Sequence, residues 1–346
     1  MSDAPAAMLL RTAGQRVAVD GTADTLREVI AATGAAHLST ELSTELSADL
    51  PNVTVSLERS RQRFDTSGCE TVTRGAWTNQ RGEALIESVG GSGFSQLWSV
   101  NEDGLHVRSR WTPTTTEAAG SRLLPSRFRT LRAQVLVHYP ALWLAIQQGF
   151  APLHVSVVEI GGVSVLLAGP GGVGKSTLVA LELAAGARAT CDNIAVCDGI
   201  VAHGLAEPLR LPAELAGASS GPRTTHGRRE QLWKARVRSL EPSLIVVVRR
   251  GVEGGPQVRP IGPETALRGI VAGTYAAGEL RRFWPLVATL AMATGCGPVH
   301  PRVEQVAETL TSRLPCLELR LGHRPGAGLA ELLDAPLSEI RGNGAN

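Results

Sequence analysis

Residues 166–178 read LLAGPGGVGKSTL, and how this stretch is read decides the fold. Its centre, Gly169-Pro170-Gly171-Gly172-Val173-Gly174-Lys175-Ser176-Thr177, fits the spacing G-x-x-x-x-G-K-[ST] of a phosphate-binding loop. The flanks supply the context that this spacing requires. VSVLLAG before it is an apolar, β-branched run of strand length, and KSTLVALELAAG after it reads as a helix ended by Gly186. A strand–loop–helix unit of this kind turns successive N–H groups inward onto phosphate oxygens, and the helix N-terminus adds partial positive charge. Lys175 would then bridge the β- and γ-phosphates of ATP, and Ser176 would offer its hydroxyl oxygen to Mg²⁺. The chain contains only two lysines, Lys175 and Lys234, its other basic residues being arginine. One of the two stands where the loop needs a compact ammonium.

Working outward, the next question is where a bound phosphate would go. Motor and switch proteins with such loops carry an acid at the end of a distant buried strand. Here the candidate strand SLIVVV ends in Arg249-Arg250, which argues against that class. Downstream of the helix, RATCDNIAV (188–196) reads as a strand carrying Asp192, the carboxylate best placed to face the γ-phosphate. Asp198 sits in a turn before Gly199, and Glu182 falls mid-helix on an expected solvated face, so both compete less well. Upstream, HVSVVEI and VSVLLAG form a hairpin turning at Gly161-Gly162, with His154 at its start.

The segment LHVSVVEIGGVSVLLAGPGGVGKSTLVALELAAGARATCDNIAV resembles the catalytic core of the HPr kinase/phosphorylase family. The likeness is closest to its HPr-kinase-like relatives, including kinases encoded beside peptide natural-product genes. In that family a histidine precedes the hairpin, the hairpin leads into the loop, and an Asp-Asp pair follows one helix later. His154 and Asp192 fall on the histidine and the first aspartate. The resemblance implies that Asp192 accepts the proton of the hydroxyl being phosphorylated, with Lys175 and His154 beside it. It also implies that Ser176, Asp192 and Asn193 surround Mg²⁺. It implies an α/β fold with a mixed sheet of the HPr kinase and phosphoenolpyruvate carboxykinase type. There are departures. Asn193 replaces the second aspartate and Gly171 a serine often seen in the loop. AEPLRLPAEL stands where the true HPr enzymes carry a glycine-rich signature. These argue against HPr as substrate and against the reverse reaction.

The rest of the chain is less specific. Residues 1–120 read as a small α+β N-terminal domain and 121–340 as the kinase-like domain. RVAVDG, VTVSLE and ALIESV have strand character, and SQLWSVNEDGLHVRSRW reads as a hairpin turning at Asp103-Gly104. LSTELSTELSADLP (38–51) repeats a four-residue unit and reads as a helix or polar loop, and TTTEAAGS as a linker. RFRTLRAQVLVHY and ALWLAIQQGF are expected helices broken at Pro140. Residues 217–238 read as a surface loop, or as a flap anchored by Trp233 that closes over ATP or holds an acidic substrate. Arg210 reads as a solvated strand residue or as one that reaches a phosphate or an acidic substrate group, and the tail SEIRGNGAN as frayed.

A formal net charge of +2 points to neither nucleic acid nor membrane as partner. Cys69, Cys191, Cys197, Cys296 and Cys316 show no metal-ligand spacing and read as reduced thiols in a cytoplasmic protein. Two functions stay open at this point. One is an ATP- and Mg²⁺-dependent kinase acting on a hydroxyl of a peptide, small protein or small-molecule alcohol. The other is a nucleotide-binding regulatory or scaffolding protein with a weakened transfer site. The apolar C-terminal helices would permit a homo-oligomer.

Overall fold

The computed structural model describes residues 5–34, 50–60, 62–213, 215, 221, 223–224, 227–233, 236–251, 255–322 and 327–343. Nearly all of the repeat tract 38–51, and much of the proposed flap 217–238, lie outside the described residues.

The N-terminal part builds one mixed sheet. β1 (Pro5–Thr12) and β2 (Gln15–Thr22) form a hairpin, and α1 (Ala23–Thr33) starts on a Thr22 cap. β3 (Val53–Glu58) then runs parallel to β2. β4 (Glu70–Thr73), β5 (Ala76–Thr78), β6 (Ala84–Ile86), β7 (Phe94–Asn101) and β8 (Gly104–Trp111) complete the order β1-β2-β3-β8-β7-β6-β5-β4. The expected hairpin is present, but with Asn101 paired to Gly104 its turn is Glu102-Asp103, one residue earlier than Asp103-Gly104.

Two expectations fail in the segment that follows. TTTEAAGS is no linker but the start of α2 (Thr115–Leu123), closed by a capping box between Thr114 and Glu117. Nor does Pro140 break a helix. α3 (Pro125–Ala133) passes through a π-helical turn, Gln134–His138, directly into α4 (Tyr139–Gln147). Pro140 follows directly on the π turn, whose wider winding lets the helix continue past a residue with no N–H to donate.

From residue 151 the chain weaves two sheets. β9 (Ala151–Leu153), β10 (Val155–Ile160) and β11 (Val163–Ala168) lead into α5 (Lys175–Ala184). Then come β12 (Arg188–Cys191), β13 (Ala195–Cys197), β14 (Ala202–Gly204), β15 (Leu209–Leu211), β16 (Arg229–Gln231), β17 (Ser239–Leu240), β18 (Leu244–Arg250) and β19 (Gln257–Pro260). α6 (Pro263–Tyr275), α7 (Phe283–Thr294), α8 (Val303–Arg313), β20 (Cys316–Leu321), α9 (Leu329–Leu332) and α10 (Asp334–Asn343) end the fold. The main sheet runs β12-β10-β11-β18-β20-β19, mixed in direction, with β11, β18 and β20 parallel. Both of its faces are apolar, as a doubly covered sheet requires. Leu166, Ala168, Ile245 and Val247 face α6 and α8, while Val165, Leu167, Val246 and Val248 face α5, α9 and α10. A four-stranded sheet, β17-β14-β13-β9, lies beside it. The chain is thus a mixed α/β protein.

Three further corrections concern burial. RATCDNIAV is not one strand: the chain leaves the main sheet at Cys191 and joins the second sheet at Ala195. Glu182 is buried, not solvated, because its Oε1 accepts the Ala330 N–H at 3.1 Å and so anchors α9. Residues 338–343 of the tail are helical, since α10 runs to residue 343 and buries Leu337, and 344–346 lie outside the described residues. The apolar α7 finds its partners inside the chain: it packs on β4, β5 and β6, with Phe283 against Tyr139 at 5.3 Å between ring centres. Among the described residues, no helix is long and apolar enough to cross a membrane.

Candidate active site

Weaving between two sheets is what builds the site. His154 is the single residue between β9 and β10, where the chain passes from one sheet to the other. Asp192-Asn193-Ile194 makes the reverse passage between β12 and β13. Because Val157 pairs with Cys191 and Leu153 with Ala195, the two passages lie side by side. Their backbone groups are released from the ladders and need other partners. Ser156 Oγ donates to the Asp192 carbonyl at 2.7 Å, and the His154 N–H donates to Thr274 Oγ1 at 3.1 Å.

The glycine-rich loop joins the end of β11 to α5, as its spacing predicts. Gly169 has φ +135°, and a Cβ there would stand 2.6 Å from the Val248 carbonyl, so only glycine fits. α6 crosses so close that a Cβ on Gly273 would stand 2.9 Å from the Gly169 carbonyl. The same turn of α6 offers its Gly273 carbonyl to His154 Nδ1 at 3.1 Å.

Lys175 and Asp192 are almost fully buried at the edge of a cavity of about 1000 Å³. Lys175 Nζ folds back to donate to the Gly169 carbonyl at 2.7 Å and the Pro170 carbonyl at 3.1 Å. Burial lowers its pKa to about 8, with the Asp192 charge opposing. Asp192 Oδ1 is buried with no hydrogen-bond partner. Burial raises the Asp192 pKa, and the Arg210 guanidinium partly offsets this. His154 is held neutral, its pKa lowered to about 4 by burial and then by the Lys175 charge. Ser176 Oγ donates to the Asp192 carbonyl at 3.4 Å, a long contact to an oxygen that also accepts from Ser156 at 2.7 Å.

Glu207 and Glu279, which pattern reading passed over, meet Arg210 and Trp233 here. Glu207 Oε1 accepts from Asn193 Nδ2 at 3.0 Å, and burial raises its pKa to about 7. Arg210 is not a solvated strand residue: it lies 3.4 Å from Glu207 and 4.0 Å from Glu279. Trp233 is buried and donates to the Glu207 carbonyl at 2.7 Å, an anchor for its segment. Glu207 and Arg210 share the stretch AEPLRLP, whose acid and base three residues apart around a proline were the available signal. Nothing local marks Glu279.

A metal or nucleotide can be tested against these groups. An unpartnered buried carboxylate oxygen, a serine hydroxyl with one long contact and a helix N-terminus converge on one cavity. That donor set suits a hard cation bound together with phosphate oxygens. Among the described residues no cluster of three or more His, Cys, Asp and Glu side chains forms a metal site by itself. That is compatible with Mg²⁺, which is commonly held by one or two protein groups plus substrate phosphates.

The fold and site thus define a mixed α/β protein with a glycine-rich loop at a strand–helix junction facing a buried carboxylate. Searches of protein-family models and of curated proteins find no match. Among solved structures, the HPr(Ser) kinase/phosphatase from Coxiella burnetii is similar at 13% identity and a TM-score of 0.27, over 56% of this chain and 94% of that chain. The functional reading therefore rests on the geometry of the site.

Proposed function

We propose that this chain is an ATP- and Mg²⁺-dependent kinase of the HPr-kinase-like type that phosphorylates a hydroxyl. The acceptor is a peptide or protein serine or a small-molecule alcohol. The observation that carries the reading is Asp192: a buried carboxylate with an unpartnered oxygen, beside Lys175 and Ser176 at one cavity. A base needs a free lone pair and a raised pKa: Oδ1 has no hydrogen-bond partner, and burial raises the carboxyl's pKa above its ordinary value.

The loop N–H groups and the α5 N-terminus would hold the phosphates of ATP. Ser176, with the carboxylate of Asp192 and the amide of Asn193, would hold Mg²⁺, which supplies charge neutralisation across the phosphates when bound. Lys175 would exchange its two carbonyl contacts for phosphate oxygens and stabilise charge on the migrating group. Asp192 would take the acceptor hydroxyl's proton as that oxygen approaches the γ-phosphorus in line. His154, kept neutral, would orient groups at the γ end without adding charge.

The test uses γ-labelled ATP with Mg²⁺ and a size-fractionated extract of the source cells, comparing the protein with Asp192→Asn. Label retained in one fraction and reduced about 10²- to 10⁴-fold by the substitution is the expected result. Tight ATP binding, abolished by Lys175→Ala but accompanied by transfer to no fraction, would replace the kinase with a nucleotide-binding regulatory protein.

A further inference from the structure

The cavity continues beyond the loop and Asp192 to walls contributed by elements distant in sequence. The junction of α2 and α3 brings Arg127, and the turn between α6 and α7 brings Arg281 and Arg282. Sorting the charges shows which are already matched. Arg210 is met by Glu207 and Glu279, and Glu230 by Arg129 at 2.5 Å. Arg127, Arg281 and Arg282 have no carboxylate within ion-pair distance among the described residues, and all three are exposed. The cavity is lined by Lys175 and five arginines, Arg228 among them, against Asp192, Glu230 and Glu279, so six positive and three negative side chains leave a local positive excess.

Placement adds to the argument. Arg282 lies beside the turn between β6 and β7: a Cβ built on Gly90 there would stand 3.5 Å from its Cδ. The nucleotide phosphates would be served by the loop N–H groups, the α5 N-terminus and Lys175, none of which belongs to these two walls. Arginine's planar fork suits carboxylate and phosphate better than a lysine would.

Building on the kinase reading, we propose that the acceptor is an alcohol that itself carries a carboxylate or phosphate. Arg127, Arg281 and Arg282 grip that anion while the hydroxyl is directed to Asp192. The hydroxyl oxygen bonds to the γ-phosphorus as the bond from that phosphorus to the bridging oxygen breaks. ADP leaves with the bonding pair, and the hydroxyl proton passes to Asp192. The anion-bearing alcohol comes either as a free small molecule or as a serine within an acidic peptide.

The experiment saturates the protein with Mg²⁺ and a non-hydrolysable ATP analogue, so that the loop is filled. Glycerol, D-glycerate and sn-glycerol 3-phosphate are then titrated by calorimetry. A serine peptide flanked by Asp and Glu is titrated beside one flanked by Asn and Gln. An anionic member of one series should bind at least about tenfold tighter than its neutral counterpart. The combined Arg281→Gln and Arg282→Gln substitutions should abolish that preference. Preference confined to the small molecules assigns a free metabolite, and preference confined to the peptides assigns a peptide. Equal binding of charged and neutral probes in both series, or a preference untouched by the substitutions, overturns the proposal. Labelled-ATP transfer separates the two readings. Transfer to extract that is unchanged by the arginine substitutions removes the anion site and leaves the kinase. Anion binding at these arginines with transfer to no fraction leaves the site and removes the kinase.

Discussion

Lys175 shows what burying an ammonium beside the glycine-rich loop costs the protein. Its ammonium is buried, and burial lowers its pKa from 10.5 to about 8. At 1.36 kcal/mol per pH unit, that displacement means the empty fold holds this charge at a cost of about 3 kcal/mol. The two loop carbonyls that accept from Nζ return part of it. Replacing Lys175 by Met keeps the stem and removes the charge. Lys175→Met should therefore stabilise the nucleotide-free protein at pH 7 by about 2 kcal/mol while abolishing ATP binding. The pH dependence fixes the sign. Between pH 8 and 10.5 the unfolded chain binds the lysine proton and the folded chain does not, so wild-type stability gains on the variant as pH rises through this window. The assay is denaturant unfolding without nucleotide at several pH values, wild type against Lys175→Met. A variant no more stable than wild type at pH 7, with a stability difference that does not change to pH 10.5, would refute the reasoning.

Three further outcomes follow from specific contacts. Gly273→Ala places a methyl 2.9 Å from the Gly169 carbonyl and should cost about 1–3 kcal/mol while weakening nucleotide binding; unfolding midpoints and a fluorescent-nucleotide titration check both, and an unaltered protein rules the close approach out. Glu207 has its pKa raised to about 7 by burial, so its folded form holds a proton that the unfolded chain has lost between about pH 4.5 and 7, and stability falls as pH rises through that window. Glu207→Gln should remove this fall and be the more stable protein at pH 8, whereas parallel pH curves would contradict it. Glu182→Ala deprives the Ala330 N–H of its acceptor and should cost about 1–3 kcal/mol, with faster hydrogen exchange in α9; exchange there equal to wild type would show that the contact holds nothing.

The strand–loop–helix unit was legible because its signals are local: a β-branched run, glycine spacing and a lysine at a fixed offset. The side-by-side placement of His154 and Asp192 was reached through family likeness; periodicity alone gives no sign that the chain changes sheets at both residues. α2 was misread although Thr114 and Glu117 spell a capping box, since the small and polar residues that follow look like a linker. Pro140 misleads because a π turn just before it carries the helix past the proline, and no local residue pattern announces that turn. Glu182 looked solvated because the group it binds lies far along the chain, at Ala330. The same holds for Glu279, Arg281 and Arg282, which reach the site only through the packing of α6 and α7.

The packing of the N-terminal sheet has a consequence for how such a chain can change over time. Its inner residues share one core with α3, α4 and α7: Trp98 meets Trp143 edge-on at 5.9 Å, and Tyr139 lies against Phe283. A sheet without a private interior cannot be exchanged for another by recombination, because any replacement must reproduce the surface that Trp143 and Phe283 expect. Substitutions on the two sides of this seam should accumulate in matched pairs, and chimaeras spliced between β8 and α3 should fold only when both sides come from the same parent.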